Sequence, residues 1–168
     1  LKLNKATRKT IESAKLIIID EISMVRADMI DFIDKVLRVY SRNMREPFGG
    51  KQMLFVGDLY QLEPVVTSDQ KQILARAYPN QFFFSANVFK EMQLVTIELL
   101  KVYRQNDLNF IKILDNIRVD NVTDYDLSEL NKRYFPNYKP GNDEFVMTVA
   151  TKKNTVDFIN ENRLEELN

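Results

Sequence analysis

The chain has 168 residues, and its 24 Lys and Arg residues balance its 24 Asp and Glu residues. It is 45% hydrophobic and contains neither Cys nor His. This length and composition fit a globular protein of one domain or two small ones and exclude disordered, collagen-like and disulfide-stapled chains. Without His or Cys there can be no Ser-His-Asp triad, no thiolate nucleophile and no zinc site built from His and Cys.

Catalysis in this chain would have to use carboxylates, Lys, Arg, hydroxyls or amides, which suit a hard cation such as Mg²⁺. The zero net charge gives no indication of nucleic-acid binding from bulk charge alone. The longest apolar run, 16–19, is much shorter than the roughly 20 residues of a membrane span. We therefore expect a cytoplasmic protein that has no membrane partner.

A β-α-β unit is predicted in the first part of the chain. The β-branched run 16–19 is typical of a parallel strand buried on both faces, and the apolar run 53–56 predicts a second buried strand. Between them, 28–40 carries one apolar helical stripe, formed by Ile30, Ile33, Leu37 and Tyr40. The two strands should therefore be parallel, with their carboxyl ends at the same edge of the sheet.

Further elements are predicted along the rest of the chain. Helices are expected over 68–77, 85–92, 108–117, 123–134 and 154–167, and strands over 94–99 and 145–150. The weakest joint lies around 99–105, so we predict a domain boundary between residues 98 and 99.

Two carboxylates, Asp20 and Glu21, follow the first predicted strand directly. In an open α/β sheet, ligands bind at the carboxyl ends of the strands. Nucleotide hydrolysis needs one acid there to hold Mg²⁺ and another to deprotonate the attacking water, roles that suit Asp20 and Glu21 respectively. Acids also end strands simply because they are solvated there, so the pair alone does not decide between the two interpretations.

Gln61 and Arg104 are the other two candidates. Gln61 follows the second predicted strand, and its amide could sense a γ-phosphate, although an exposed amide in a turn is the simpler alternative. Arg104 offers a guanidinium fork suited to phosphate, although a surface ion pair would equally explain it.

Several segments, read in order, resemble the superfamily 1 DNA helicases of the Pif and RecD type. LIIIDEISMV resembles the family's motif II, FGGKQMLFVGDLYQLEPV its motif III, and LLKVYRQNDLNFIKILDNIR its motif IV with the following helix. VATKKNTVDFINENRLEEL resembles the next family segment, with the Ile-Asn pair at Ile159 and Asn160. One departure is Glu63, which stands where many relatives have Pro.

The resemblance implies an α/β fold with a RecA-like P-loop NTPase core and a parallel sheet. Residues 1–98 would be the later part of a first RecA-like domain, and 99–168 the start of a second. ATP and Mg²⁺ would be the cofactors, with Mg²⁺ held by Asp20 through its water shell. Glu21 would be the catalytic base, Gln61 would contact the γ-phosphate, and Arg104 would be the arginine finger.

The resemblance also implies the function of an ATP-dependent DNA helicase, acting in DNA repair, recombination and telomere maintenance, and with it a location at a bacterial nucleoid. Such an enzyme couples ATP hydrolysis to 5′-to-3′ movement on single-stranded or forked DNA.

The phosphate-binding loop of such enzymes, G-x-x-x-x-G-K-[ST], does not occur in this sequence. Gly50-Lys51 is the only Gly-Lys pair, Gln52 follows it, and Arg45 occupies the first Gly position. We therefore expect an internal piece of a longer helicase that does not hydrolyse ATP by itself. Because part of its sheet would be uncovered, we also expect it to self-associate.

Two alternatives remain at this point. The chain could be a complete, non-catalytic module derived from a helicase that binds DNA or a partner. It could also come from a different P-loop ATPase with a similar acid pair, although the Gln61 and Arg104 segments make this less favoured.

Overall fold

The computed structural model describes residues 3–138, 141 and 146–165. The chain divides into two compact units, residues 1–121 and 122–168, each of which is described by itself. Within the described ranges, every helix is too short or too polar to cross a membrane. The boundary expected between residues 98 and 99 concerns RecA-like domains and stays a prediction.

The first unit contains four α-helices and two β-strands among its described residues. They are α1 (Lys5–Ser13), β1 (Leu16–Ile19), α2 (Ala27–Tyr40), β2 (Gln52–Phe55), α3 (Ser68–Leu74) and α4 (Leu108–Arg118). Short 3-10 turns cover Ile22–Met24, Pro47–Gly50, Phe83–Ser85 and Asn87–Lys90. The two turns over 83–90 replace the single helix expected over 85–92, and α1 was not predicted.

The strands β1 and β2 are parallel, paired in register from Leu16 opposite Gln52 to Ile19 opposite Phe55. Together with α2 they form the predicted β-α-β unit, which confirms the α/β class with a parallel sheet. Both strands therefore end at the same edge of the sheet, and the segments that follow them form the candidate site.

The sheet is covered on one face only among the described residues. Ile17, Ile19, Met53 and Phe55 pack against the core, whereas Leu16 and Ile18 are 45% and 58% exposed. The expectation of strands buried on both faces is therefore wrong in this structure. Burial on two faces requires an element on each side. The described residues provide α2 and the rings of Phe48, Phe83 and Phe89 on one side.

The core lies between α2 and the sheet. Its buried residues are Ile22, Ala27, Ile30, Leu37, Phe48, Ala86 and Val88. Phe48 is fully buried with a positive φ of 53°, and its backbone N–H donates to the Asp34 carboxylate at 2.6 Å. That carboxylate also pairs with Arg38, so a buried ionic group fixes the loop that leads into β2.

Two predicted strands do not form among the described residues. Residues 94–99 are in irregular structure, with Val95 90% exposed, because a β-strand requires a neighbour to share its hydrogen bonds. Of the strand expected over 145–150, Phe145 lies outside the described residues and 146–150 are irregular. The described helices of the second unit are α5 (Asp124–Asn131) and α6 (Lys153–Glu165), close to their predicted ranges.

Candidate functional site

The acid pair lies in a tight turn that ties the ends of the two strands together. The N–H of Val56 donates to the carbonyl of Ile19 at 2.9 Å, and the N–H of Ile22 donates to the carbonyl of Val56 at 2.9 Å. Asp20 and Glu21 lie between these two bonds and are exposed. The structure thus places both acids at the carboxyl edge of the sheet, as the sequence predicted.

The backbone of Glu21 adopts the left-handed conformation, with φ 51° and ψ 43°. For a residue other than glycine this geometry costs about 1–2 kcal/mol, so the surrounding contacts must hold it. Asp20 Oδ1 accepts the Glu21 N–H at 2.8 Å, and Ile22, which follows, is buried in the core. The turn therefore anchors one side in the core and presents two carboxylates to solvent on the other.

Gly57 allows the segment after β2 to approach this turn closely. A Cβ atom at position 57 would lie 3.0 Å from Ile22 Cγ2, 3.0 Å from the Ile22 nitrogen and 3.3 Å from the Ser23 nitrogen. These separations leave no room for a side chain without movement of the turn. Glycine at this position is thus required by the contact between the two halves of the site.

The carboxylate of Asp58 organises the loop that carries Gln61. Asp58 Oδ1 accepts the Tyr60 N–H at 2.9 Å, and Asp58 Oδ2 accepts a hydrogen bond from Gln61 Nε2 at 3.2 Å. The Gln61 N–H also donates to the Asp58 carbonyl at 3.2 Å. A carboxylate can only accept, so it takes one of the two Nε2 hydrogens of Gln61 and leaves the second N–H and the amide oxygen for other groups.

Arg118, at the end of α4, reaches the same loop. Its Nη2 donates to Asp58 Oδ1 at 3.3 Å, and its guanidinium carbon lies 4.7 Å from the ring centroid of Tyr60. The Tyr60 N–H, the Gln61 amide and the Arg118 charge hold the pKa of Asp58 below its ordinary value, against the opposing effect of burial. Asp58 is therefore ionised at neutral pH.

Asp58 and Arg118 lie within the helicase-like motifs, but the sequence predicts no role for either residue. Asp58 carries a recognisable signal, since an Asp side chain that bonds a backbone N–H two residues later is a common turn. Arg118 carries none, because it is 60 residues from Asp58.

Arg104 is not brought to the acid pair by any contact among the described residues. It lies in the irregular, exposed segment between residues 99 and 107. None of the hydrogen bonds, ion pairs or ring contacts within the described part of the chain includes its side chain. Its role as an arginine finger stays a prediction.

The carboxylates at the strand ends are suited to a cation whose remaining ligands are waters and substrate phosphates. The described residues contain no cluster of three or more acidic side chains that could hold a metal by themselves. Mg²⁺ commonly binds through one or two carboxylates, waters and substrate phosphates. Asp20, exposed and with its Oδ2 unused by the described residues, fits that requirement.

Comparison with protein families finds a match to the family described as PIF1-like helicase over residues 1–127. The human ATP-dependent DNA helicase PIF1 is 38% identical over 152 residues, which are 90% of this chain and 22% of the human protein. The ATP-dependent DNA helicase RRM3 of Saccharomyces cerevisiae is 38% identical over 109 residues, 65% of this chain and 14% of that protein. The chain thus spans about a fifth or less of the length of these relatives.

Solved structures give a consistent result. The crystal structure of a Bacteroides Pif1 helicase in complex with ADP-AlF3 and ssDNA matches with a TM-score of 0.92 and 38% identity. The match covers 100% of this chain and 39% of that chain. The Candida albicans Pif1 helicase matches with a TM-score of 0.78 and 30% identity, over 96% of this chain and 34% of that one. These similarities confirm the predicted RecA-like fold.

Proposed function

Because the chain belongs to the PIF1-like helicase family, we propose that its residues serve an ATP-dependent DNA helicase. The observation that carries the proposal is the pair of backbone hydrogen bonds that joins the two strand ends. It sets Asp20 and Glu21 beside the start of the loop that presents Gln61. ATP is the proposed substrate of hydrolysis, and single-stranded or forked DNA is the proposed nucleic-acid substrate.

Asp20 is the residue we assign to Mg²⁺, directly or through a bound water. When bound, Mg²⁺ neutralises charge on the phosphate oxygens and so favours attack at the γ-phosphorus. The chain lacks the G-x-x-x-x-G-K-[ST] loop that cradles phosphates. The 168 residues alone should therefore not turn over ATP.

Glu21 is the proposed general base. It accepts a proton from a water whose oxygen bonds to the γ-phosphorus, while the bond from that phosphorus to the β-γ bridging oxygen breaks and ADP leaves. Gln61 donates an N–H to the γ-phosphate, and Arg104 is the proposed donor to the charge that develops during transfer. The left-handed backbone at Glu21 supports this role, since strained residues are enriched at active sites.

A second copy of the protein is a further proposed partner. The exposed face of β1 supports this, because uncovered apolar surface favours association. One of the matching solved structures is of two coordinating Pif1 helicases that unwind DNA at forked dsDNA. We also propose that residues 1–98 and 99–168 belong to two RecA-like domains.

The test is made on the full-length protein that carries this sequence. ATP hydrolysis should require Mg²⁺ and rise with added single-stranded DNA, and a 5′-tailed fork should be unwound. Asp20→Asn should lower kcat/KM for ATP about 100-fold or more, as loss of a major electrostatic group does. The matched control, Asp69→Asn, changes an exposed acid on α3 and should match wild type.

Two results would contradict the proposal. One is a wild-type protein that binds DNA without hydrolysing ATP, which would favour the non-catalytic module. The other is an Asp20→Asn variant with the activity of the Asp69→Asn control.

A further inference from the structure

The loop that carries Gln61 is held by groups from two distant parts of the sequence. Within the loop, Asp58 accepts hydrogen bonds from the Tyr60 N–H and the Gln61 amide. Gln61 is exposed, so packing does little to fix its side chain. Its amide position therefore depends largely on where the Asp58 carboxylate lies.

Arg118 fixes that carboxylate from outside the loop. Its Nη2 donates to Asp58 Oδ1, the oxygen that also accepts the Tyr60 N–H. Its guanidinium also lies over the Tyr60 ring, with 4.7 Å from the central carbon to the ring centroid. One planar side chain thus engages two residues of the loop with two kinds of contact, which restrains the loop more than a single ion pair would.

We propose that Arg118 is a positioning residue for Gln61, acting through Asp58 and Tyr60. The inference rests on the proposed function, in which Gln61 contacts the γ-phosphate. Arg118 does not touch the substrate in this account. Its part is to hold the loop so that the Gln61 amide is presented in one orientation.

The surroundings of Arg118 support a directed contact over general helix packing. Arg118 is the last residue of α4, where a cation is also favoured by the helix dipole. Lys112 on the same helix is exposed and has no partner among the described residues. The helix thus contains a matched cation that lacks the loop contacts.

The contact made by Arg118 also couples α4 to the loop that carries Gln61. With the domain boundary proposed above, α4 follows the boundary and the Gln61 loop precedes it. A movement of α4 would then change the support of the Gln61 amide. Arg118 would link the arrangement of the second domain's first helix to the γ-phosphate contact.

The experiment is a double-mutant cycle in the full-length protein, measured as ATP hydrolysis at saturating poly(dT). Arg118→Met keeps the length of the side chain and removes the charge, and Lys112→Met is the matched control. We expect Arg118→Met to lower kcat about fivefold, the upper range for an exposed ion pair. KM for ATP should change less than about twofold, because ground-state binding is not the step affected.

The decisive measurement is kcat in the Gln61→Ala background, which lacks the glutamine amide. In Gln61→Ala, adding Arg118→Met should cause no further loss of kcat, because the two residues act through one contact. A structural role for Arg118 would instead add its loss to that of Gln61→Ala. Arg118→Lys, which keeps the charge without the planar fork, should fall between wild type and Arg118→Met.

The outcomes separate the two proposals. An active wild type in which the two losses add, or in which Arg118→Met equals Lys112→Met, overturns the role of Arg118 and leaves the helicase proposal intact. A wild type without ATP hydrolysis overturns both. Thermal unfolding of Arg118→Met and Lys112→Met at the same midpoint verifies that the difference in kcat is not a folding defect.

Discussion

Substitution of Gly57 by alanine is the sharpest test of the close approach between the strand ends. The new Cβ would lie 3.0 Å from two atoms of Ile22 and 3.3 Å from the Ser23 nitrogen. Ordinary contacts begin at 3.4 Å, so the turn must withdraw by about 0.4 Å. That movement lengthens the 2.9 Å hydrogen bond from the Ile22 N–H to the Val56 carbonyl.

The expected cost follows from this displacement. Overpacking of this kind costs about 1–3 kcal/mol, and we expect about 2 kcal/mol for Gly57→Ala. A change of that size lowers Tm by about 4–8 °C in a domain of 150–250 residues. Because misplacement by about 1 Å can cost 100-fold in rate, a shift of about 0.4 Å should reduce kcat for ATP roughly tenfold.

Thermal unfolding and steady-state ATP hydrolysis of the full-length protein measure the two effects. A second substitution, Ile22→Leu, removes the methyl branch at Cβ and so relieves one of the contacts. It should recover part of the loss in Gly57→Ala while costing less than about 1.5 kcal/mol alone. A Gly57→Ala variant that matches wild type in both Tm and kcat would show that the close approach of Gly57 to Ile22 does not constrain the site.

Three further predictions concern the packing that supports the site. Asp31→Ala should destabilise the fold by about 3 kcal/mol in chemical denaturation, because it removes the acceptor of the Asn87 and Val88 N–H groups and of the Tyr78 hydroxyl. An unchanged midpoint would contradict that role. Burial and the Asp31 carboxylate raise the pKa of Tyr78 to about 12 from 10.0. The neutral hydroxyl should therefore contribute stability that is complete below pH 10 and is lost as pH rises through about 12. The difference in phenolate absorbance between wild type and Tyr78→Phe follows this ionisation, and a midpoint near 10 would refute it. Phe48→Ala should cost about 3–5 kcal/mol, since its fully buried ring lies between α2 and the sheet; a loss below about 1 kcal/mol would show that the site does not depend on this core.

The parts of the fold that could be predicted from sequence are those encoded by local patterns. Three such patterns are the apolar runs at 16–19 and 53–56 and the apolar stripe of α2. Each is formed by residues close together in the sequence, and the structure has a strand or helix at each. Two acids after a strand must lie at the strand end, whatever the rest of the fold does. The positions of Asp20 and Glu21 at the sheet edge were therefore predictable.

The remaining features depend on contacts between distant residues. Residues 94–99 have a strand-like composition, but a strand also needs a partner, and composition does not provide one. The backbone at position 21 is left-handed, but the residue there is Glu and not the glycine that usually signals such a conformation. The contact between Arg118 and Asp58 spans 60 residues and leaves no local pattern.

In the proposed mechanism, the carboxylate of Glu21 takes the proton from the attacking water. Single-turnover cleavage of ATP by the full-length protein, with ATP binding measured separately, tests it most directly. Glu21→Gln should bind ATP within about twofold of wild type and cleave it about 10²–10⁴-fold more slowly, as expected for loss of a general base. Glu98→Gln, which changes an exposed acid outside the site, should cleave at the wild-type rate. Cleavage by Glu21→Gln at a rate near that of wild type would contradict the role of Glu21 as the general base.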